Sequence, residues 1–217
     1  MPVHAVLPVK RFDAAKQRLA GELPPARRVA LARAMVADVL DALRAIPSLD
    51  DVIVVSGEPA VLELAAAAGV RTLGDDDSGH SQAAAAGAAA AAAAGADRAL
   101  LVPGDCPALD PDEIGALLRE APPAPAVVVI PDRHGTGTNG LLLAGPGVIA
   151  PAFGPGSHAR HLALAASAGA AGVSRPVPSL AFDVDTADDL AALAAALADR
   201  PGRAPRTRSE LSRMAPA

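Results

Sequence analysis

The sequence predicts a single α/β domain built on a mostly parallel sheet with helices on both faces. Three observations carry that expectation. Short β-branched runs alternate with helical periodicities along nearly the whole chain. The runs at 51–55 and 126–130 are almost uninterrupted apolar residues, as strands buried on both faces require. With 51% apolar and 20% charged residues over 217 positions, the chain can bury one core and is too apolar to stay disordered.

The elements follow in order. Val3 to Val9 reads as a buried strand that opens onto a cationic loop. Pro24-Pro25 start a long helix in which Val29, Met35, Val36, Val39, Leu40 and Leu43 recur at three- and four-residue spacing, and Pro47 bounds it. Asp51 to Val55 is a strand, 59–68 a helix, and Val70 to Leu73 a short strand. Gln82 to Gly95 is nearly all alanine, the best helix former, and reads as a helix seated close to the sheet. Strands at Arg98 to Pro103, Ala126 to Ile130 and Thr138 to Ala144 flank a helix from Pro111 to Glu120. A helix from Ser157 to Ala168 and a strand from Val173 to Val177 follow, and Thr186 caps a last helix ending near Arg200. The domain is therefore placed at 1–199. Residues 200–217, rich in Arg and Pro, are expected to be a disordered tail.

Composition excludes several classes of function. There are 55 Ala, no Trp, no Tyr and three Phe, which leaves no aromatic platform for stacking nucleic-acid bases. A net charge of −5 gives no footprint for duplex nucleic acid, and no segment is apolar for long enough to span a membrane. The single cysteine and the absence of a leader pattern point to the cytoplasm. A small-molecule partner is the expectation that remains.

Four segments could carry chemistry. Lys10, Arg11, Lys16 and Arg18 crowd the loop after the first strand, an anion site suited to a triphosphate. The competing reading is a solvated basic loop. Against it, the chain holds 17 Arg and only two Lys, and both lysines fall here, where a compact ammonium differs from a planar guanidinium. Neither a GxGxxG nor a GxxxxGK[ST] motif is present. Next, Gly104-Asp105-Cys106 ends a strand with a carboxylate, placed either to hold Mg²⁺ or simply to stabilise a turn. Third, Asp183 and Asp185 share one side of an extended segment, whereas Asp188 and Asp189 read as helix N-terminal charges. Carboxylates that converge from distant segments repel one another, and a metal relieves that repulsion.

The fourth candidate pairs Asp132-Arg133-His134-Gly135-Thr136-Gly137-Thr138-Asn139 with Phe153-Gly154-Pro155-Gly156-Ser157-His158-Ala159-Arg160-His161. Gly-rich turns and a helix start at Ser157 can bind an anion, or be two ordinary turns with a Ser cap. His158 and His161 lack a third ligand for zinc, and Cys106 reads as a small buried residue.

Taken together, VKRFDAAKQRL, VPGDCPAL, DRHGTGTN, FGPGSHARH and FDVDTADDL, in that order over residues 3–197, resemble the 2-phospholactate and phosphoenolpyruvate guanylyltransferases of deazaflavin coenzyme F-420 biosynthesis. The first two segments are shared with a wider nucleotidyltransferase superfamily, while GTGTN with FGPGSHARH is specific to this branch. The resemblance implies a Rossmann-like fold of the nucleotide-diphospho-sugar transferase type. It also implies transfer of GMP from GTP to a phosphorylated three-carbon acid, with phosphoenolpyruvate preferred. Carried over by position, Asp105 and Asp183 would hold Mg²⁺ and, with Lys16, serve catalysis. Lys10, Arg11, Lys16 and Gly104 would bind the nucleotide. Gln82 would join them, because Gly79-His80-Ser81-Gln82 replaces the family's Gly-Leu-Asn-like step. Thr138, Gly154, Ser157 and Arg160 would bind the acid. Two other readings stay open. A molybdopterin or sugar-phosphate nucleotidyltransferase would want a Gly-Gly-rich first loop, which is missing, and a non-catalytic nucleotide-binding module would not need both Asp105 and Asp183.

Overall fold

The computed structural model describes residues 1–12 and 16–214. Its strands are β1 (Val3–Pro8), β2 (Asp51–Ser56), β3 (Arg71–Gly74), β4 (Arg98–Leu101), β5 (Ala126–Pro131), β6 (Thr138–Ala144) and β7 (Ala171–Ser174). Its helices are α1 (Pro25–Arg44), α2 (Pro59–Ala67), α3 (His80–Ala93), α4 (Pro111–Glu120), α5 (Ser157–Ser167), α6 (Ala187–Ala198) and α7 (Pro205–Ser212). The strands form one sheet in the order β3-β2-β1-β4-β6-β5-β7. All pairings are parallel except the two that β6 makes with β4 and β5. The expected strand at Val173 to Val177 starts earlier, because Ala171 pairs with Ala126, and it stops short of Pro176, which has no amide hydrogen for a ladder.

Alternation along β1 sorts the core into two layers. Ala5 and Leu7 face a cluster supplied by α1, α2 and α4, including Val39, Leu43, Val61 and Ile114. Val6 faces the other cluster, with Ala84, Ala88 and Ala91 of α3 and Ala165 of α5. The small residues on the sheet-facing side of α3, Ala83, Ala84, Gly87, Ala88 and Ala91, have a steric origin. A Cβ at Gly87 would stand 2.2 Å from Cγ1 of Val6 and 2.9 Å from Cγ2 of Val55, so the helix axis lies too close to the sheet for larger side chains. No helix among the described residues is long and apolar enough to cross a membrane.

The expectation of a disordered tail is corrected by α7, which docks on α1. Leu211 and Met214 pack with Leu31, Met35, Leu193 and Leu197 in a third apolar cluster outside the first layer. The Asp38 carboxylate, 1% exposed, accepts hydrogen bonds from the backbone N–H of Thr207 (2.7 Å) and Arg206 (3.3 Å). A side chain from α1 thus satisfies amides at the start of α7, the part of a helix that has no internal acceptor.

The chain leaves β1 toward β2 and β3, then returns to β4 on the other side of β1. In open α/β sheets, ligands bind in the crevice beyond the carboxyl ends of strands at such a reversal. Because β6 runs backwards, its first residues, Thr138 and Asn139, lie at that same edge.

Candidate active site

A cleft of about 750 Å³ opens at this edge. Lys10, Lys16, Gly104, Asp105, Thr138, Gly154, Ser157 and Asp183 all line it, although they come from five separate segments. Arg11, Gln82 and Arg160 are not among its lining residues. Arg11 is exposed in the loop after β1. Gln82 is exposed on the first turn of α3, with its carboxamide folded back over Gly79. Arg160 lies behind the cleft wall, where its guanidinium donates to the carbonyls of Ala152 and Pro155, both at 3.0 Å. It therefore clamps the Phe153–Gly156 loop from outside.

The cationic and anionic halves of the cleft meet at Lys16. Its ammonium lies 2.6 Å from Asp105 and 3.3 Å from Asp185, and its side chain is only 7% exposed. Burial alone would lower the Lys16 pKa, but the two carboxylates outweigh it and hold the amine charged. Asp105 is the mirror case: burial pushes it up, Lys16 pulls it down, and the carboxyl ends below its ordinary range. Asp183 is the carboxylate that burial dominates. Burial raises its pKa, the charges of Asp105 and Asp185 add to that, and one hydrogen bond from Asn139 Nδ2 at 3.0 Å opposes them.

Asn139 reaches Asp183 because of a β-bulge. Ile130 pairs with Gly140 and Pro131 with Thr138, so Asn139 is an extra residue in the ladder. The bulge sends Asn139 to Leu180 and Asp183, while Thr138 turns toward α5. There Ser157 Oγ donates to Thr138 Oγ1 at 3.0 Å, and His161 Nδ1 lies 3.1 Å from the same oxygen. Ser157 is the first residue of α5 and does not cap it; Gly156, at φ +69°, is the cap position. The loop before β6 is held by Asp132, whose carboxylate accepts from the amides of His134, Thr136 and Gly137 at 3.0–3.1 Å. A Cβ at Gly137 would fall 2.4 Å from that carboxylate. Arg133 then pairs with Asp189 at 2.6 Å, and Asp189 also closes the capping box of α6 with Thr186.

Among the described residues, no group of three His, Cys, Asp or Glu side chains is disposed to hold a metal by itself. A few hard carboxylates facing an open cleft do match Mg²⁺, which takes one or two carboxylates together with substrate phosphates and water.

The sequence profile of the family described as "Guanylyl transferase CofC like" matches residues 3–199 of this chain. The chain belongs to that family. Relatives of this CofC-like member include a phosphoenolpyruvate guanylyltransferase of Conexibacter woesei, 46% identical over 216 residues covering 99% of this chain and 97% of that one. Another, of Sphaerobacter thermophilus, is 43% identical over 89% of this chain and 93% of its own length. The CofC-like fold is shared with a nucleotide-diphospho-sugar transferase of Desulfovibrio desulfuricans, with TM-score 0.77 at 16% identity over 99% of this chain and 97% of that one. It is also shared with CMP:2-keto-3-deoxy-manno-octonic acid synthetase, with TM-score 0.59 at 16% identity over 92% of this chain and 99% of that one.

Several cleft residues of this CofC-like chain escape a reading of motifs. His80 lines the cleft and stacks edge-on against Phe153 at 4.9 Å, while Ser81 Oγ accepts the Phe153 amide at 2.9 Å. The segment that departs from the family pattern is thus tied to the Gly154 loop. Burial lowers the His80 pKa, Lys10 lowers it further, and Asp105 opposes both. Asp132 and Asn139 were visible only as parts of a turn-rich segment; their spacing alone did not show what they hold.

Proposed function

We propose that this chain transfers GMP from GTP to the phosphate of phosphoenolpyruvate and releases pyrophosphate, a step in coenzyme F-420 biosynthesis. The observation that carries the reading is one cleft that brings together Lys10 and Lys16, Asp105, Asp183 and Asp185, and the Thr138–Ser157 hydroxyl pair. The names of the CofC-like relatives supply the substrates.

In this reading Lys10 and Lys16 bind the triphosphate and offset the charge that grows on the leaving pyrophosphate. Gly104, half-buried in the turn beside Asp105, lines the cleft without a side chain and leaves backbone room for the nucleotide. Thr138, Gly154 and Ser157 bind the acid and aim its phosphate oxygen at the α-phosphorus. That oxygen forms the new P–O bond as the bond to pyrophosphate breaks. The acceptor phosphate is already ionised at neutral pH, so no general base is required. Arg11 adds positive potential at the rim, and Arg160 serves by holding the Gly154 loop. Asp105 and Asp183 would hold Mg²⁺, with Asp185 beside them. Bound there, the ion supplies charge neutralisation across the phosphates.

The test is pyrophosphate release with Mg²⁺ and GTP, with phosphoenolpyruvate, 2-phospholactate and no acceptor in parallel, and ATP and CTP as base controls. Release with GTP and phosphoenolpyruvate alone is the expected result. Release only with 2-phospholactate would change the acceptor, and silence in every lane would refute the transferase reading.

A further inference from the structure

His161 is fully buried at the base of α5, beneath the hydroxyl pair, and no step described above uses it. Both of its nitrogens are engaged. The backbone N–H of Ala152 lies 2.9 Å from Nε2, and a backbone amide can only donate, so Nε2 is the bare nitrogen of a neutral ring. The proton is therefore on Nδ1, which faces Thr138 Oγ1 at 3.1 Å. Thr138 Oγ1 accepts a second hydrogen bond from Ser157 Oγ, itself 1% exposed. With both lone pairs taken, the Thr138 hydroxyl has one remaining function, to donate, and its half-buried side chain faces the cleft.

We infer that His161 is a positioning residue for the acceptor acid: its Nδ1–H and Ser157 Oγ–H together saturate Thr138 Oγ1 as an acceptor and turn the Thr138 proton outward onto an anionic oxygen of the substrate. The inference rests on the reading that Thr138 meets the acid. It assigns the ring a role that an apolar residue of equal volume could not fill. Burial, assisted by Arg160 and His158, lowers the His161 pKa to about 4, so the neutral tautomer persists through the physiological range. Phe153, edge-on at 5.2 Å, closes the ring off from the cleft and fixes its plane.

Two substitutions separate the two nitrogens. In His161→Asn the amide nitrogen takes the place of Nδ1 and keeps the donor to Thr138; in His161→Gln the amide oxygen takes the place of Nε2 and keeps the acceptor for Ala152. Loss of a hydrogen bond to a charged group predicts a KM for phosphoenolpyruvate raised about tenfold or more in His161→Gln and in Thr138→Val. His161→Asn should stay within about threefold of the parent, and the KM for GTP should stay unchanged in all three. Adding His161→Gln to Thr138→Val should raise KM by less than about twofold further, because the two act as a unit. In the unsubstituted protein, nitrogen-15 NMR of histidine should show a ring protonated on Nδ1 and bare on Nε2, and that pattern should disappear in His161→Gln.

A Thr138→Val variant with the parent KM would remove the placement of the acid while leaving the tautomer measurement to stand on its own. Thr138→Val with raised KM but His161→Gln with the parent value would overturn the inference and spare the placement. A ring protonated on Nε2 would overturn it whatever the kinetics show.

Discussion

Replacing Lys16 with Met keeps the length of the side chain and removes its charge. The ammonium it loses stands 2.6 Å from Asp105 and 3.3 Å from Asp185, within a cleft that also holds Asp183. Stranding a buried partner typically costs about 3–5 kcal/mol. Asp105 and Asp185 are 28% and 46% exposed, so water recovers part of that and about 2 kcal/mol is the expected net loss. At about 2–4 °C per kcal/mol for a chain of this size, the melting temperature should fall by about 4–8 °C. The loss should depend on pH. Asp105 sits below its ordinary value of 3.8, so its contribution is complete above that value and is lost as pH falls through the lowered folded-state pKa. The gap between parent and variant should therefore be full at neutral pH and narrow in acid. Saturating Mg²⁺ should raise the melting temperature of the variant more than that of the parent, because the ion no longer competes with an ammonium. Differential scanning fluorimetry at neutral and acid pH, with and without Mg²⁺, measures all of this. Arg18→Met is the control: its guanidinium is 75% exposed and 3.7 Å from Asp185, so a change within about 0.5 kcal/mol is expected. Equal melting of parent and Lys16→Met at neutral pH would refute the reasoning, as would an equal Mg²⁺ increment in both.

Asp183→Asn should abolish turnover while leaving the melting temperature unchanged or slightly raised. The carboxylate's folded-state pKa is lifted by burial, so its charge opposes folding at neutral pH and that cost fades only as pH falls through the raised value. Turnover at the parent rate, measured by pyrophosphate release, would remove Asp183 from the machinery. Asp38→Ala should cost about 2–3 kcal/mol by stripping acceptors from the Arg206 and Thr207 amides, and should speed hydrogen exchange across α7 selectively. Uniform protection across α7 in that variant would count against the docking described. Gly87→Ala sets the contact with Val6 against the gain in helix propensity, and should still lower stability by about 1–2 kcal/mol in a chemical denaturation series.

Most of the fold was readable because its signals are local. Uninterrupted apolar runs gave β2 and β5, proline gave the start of α1, and the Thr186 capping box gave α6. The helix α7 was missed because its sequence is polar and Arg-rich, and what orders it is a carboxylate about 170 positions away, Asp38, whose own neighbours mark it as one more charge on a helix. The site divides along the same line. Lys16 stood out because both lysines of an Arg-rich chain fall in one loop, Asp105 because it follows a strand, and Asp183 because it shares one side of an extended segment with Asp185. Gln82 was proposed by position in a motif, and the cleft takes up its neighbour His80, since the first turn of α3 presents successive residues about 100° apart. Arg160, expected to touch substrate, instead satisfies two carbonyls of a loop, which sequence cannot distinguish from binding an anion.

The extra residue in β6 has a consequence for how this architecture can vary. Thr138, bonded to Ser157, and Asn139, bonded to Asp183, are successive residues, so the anchor to α5 and the anchor to the carboxylates leave β6 one peptide unit apart, about 3.8 Å between α-carbons. The step between these two anchors along β6 is therefore fixed by covalent geometry. Loops on either side can be lengthened or exchanged while that one-residue step between the two anchors stays the same.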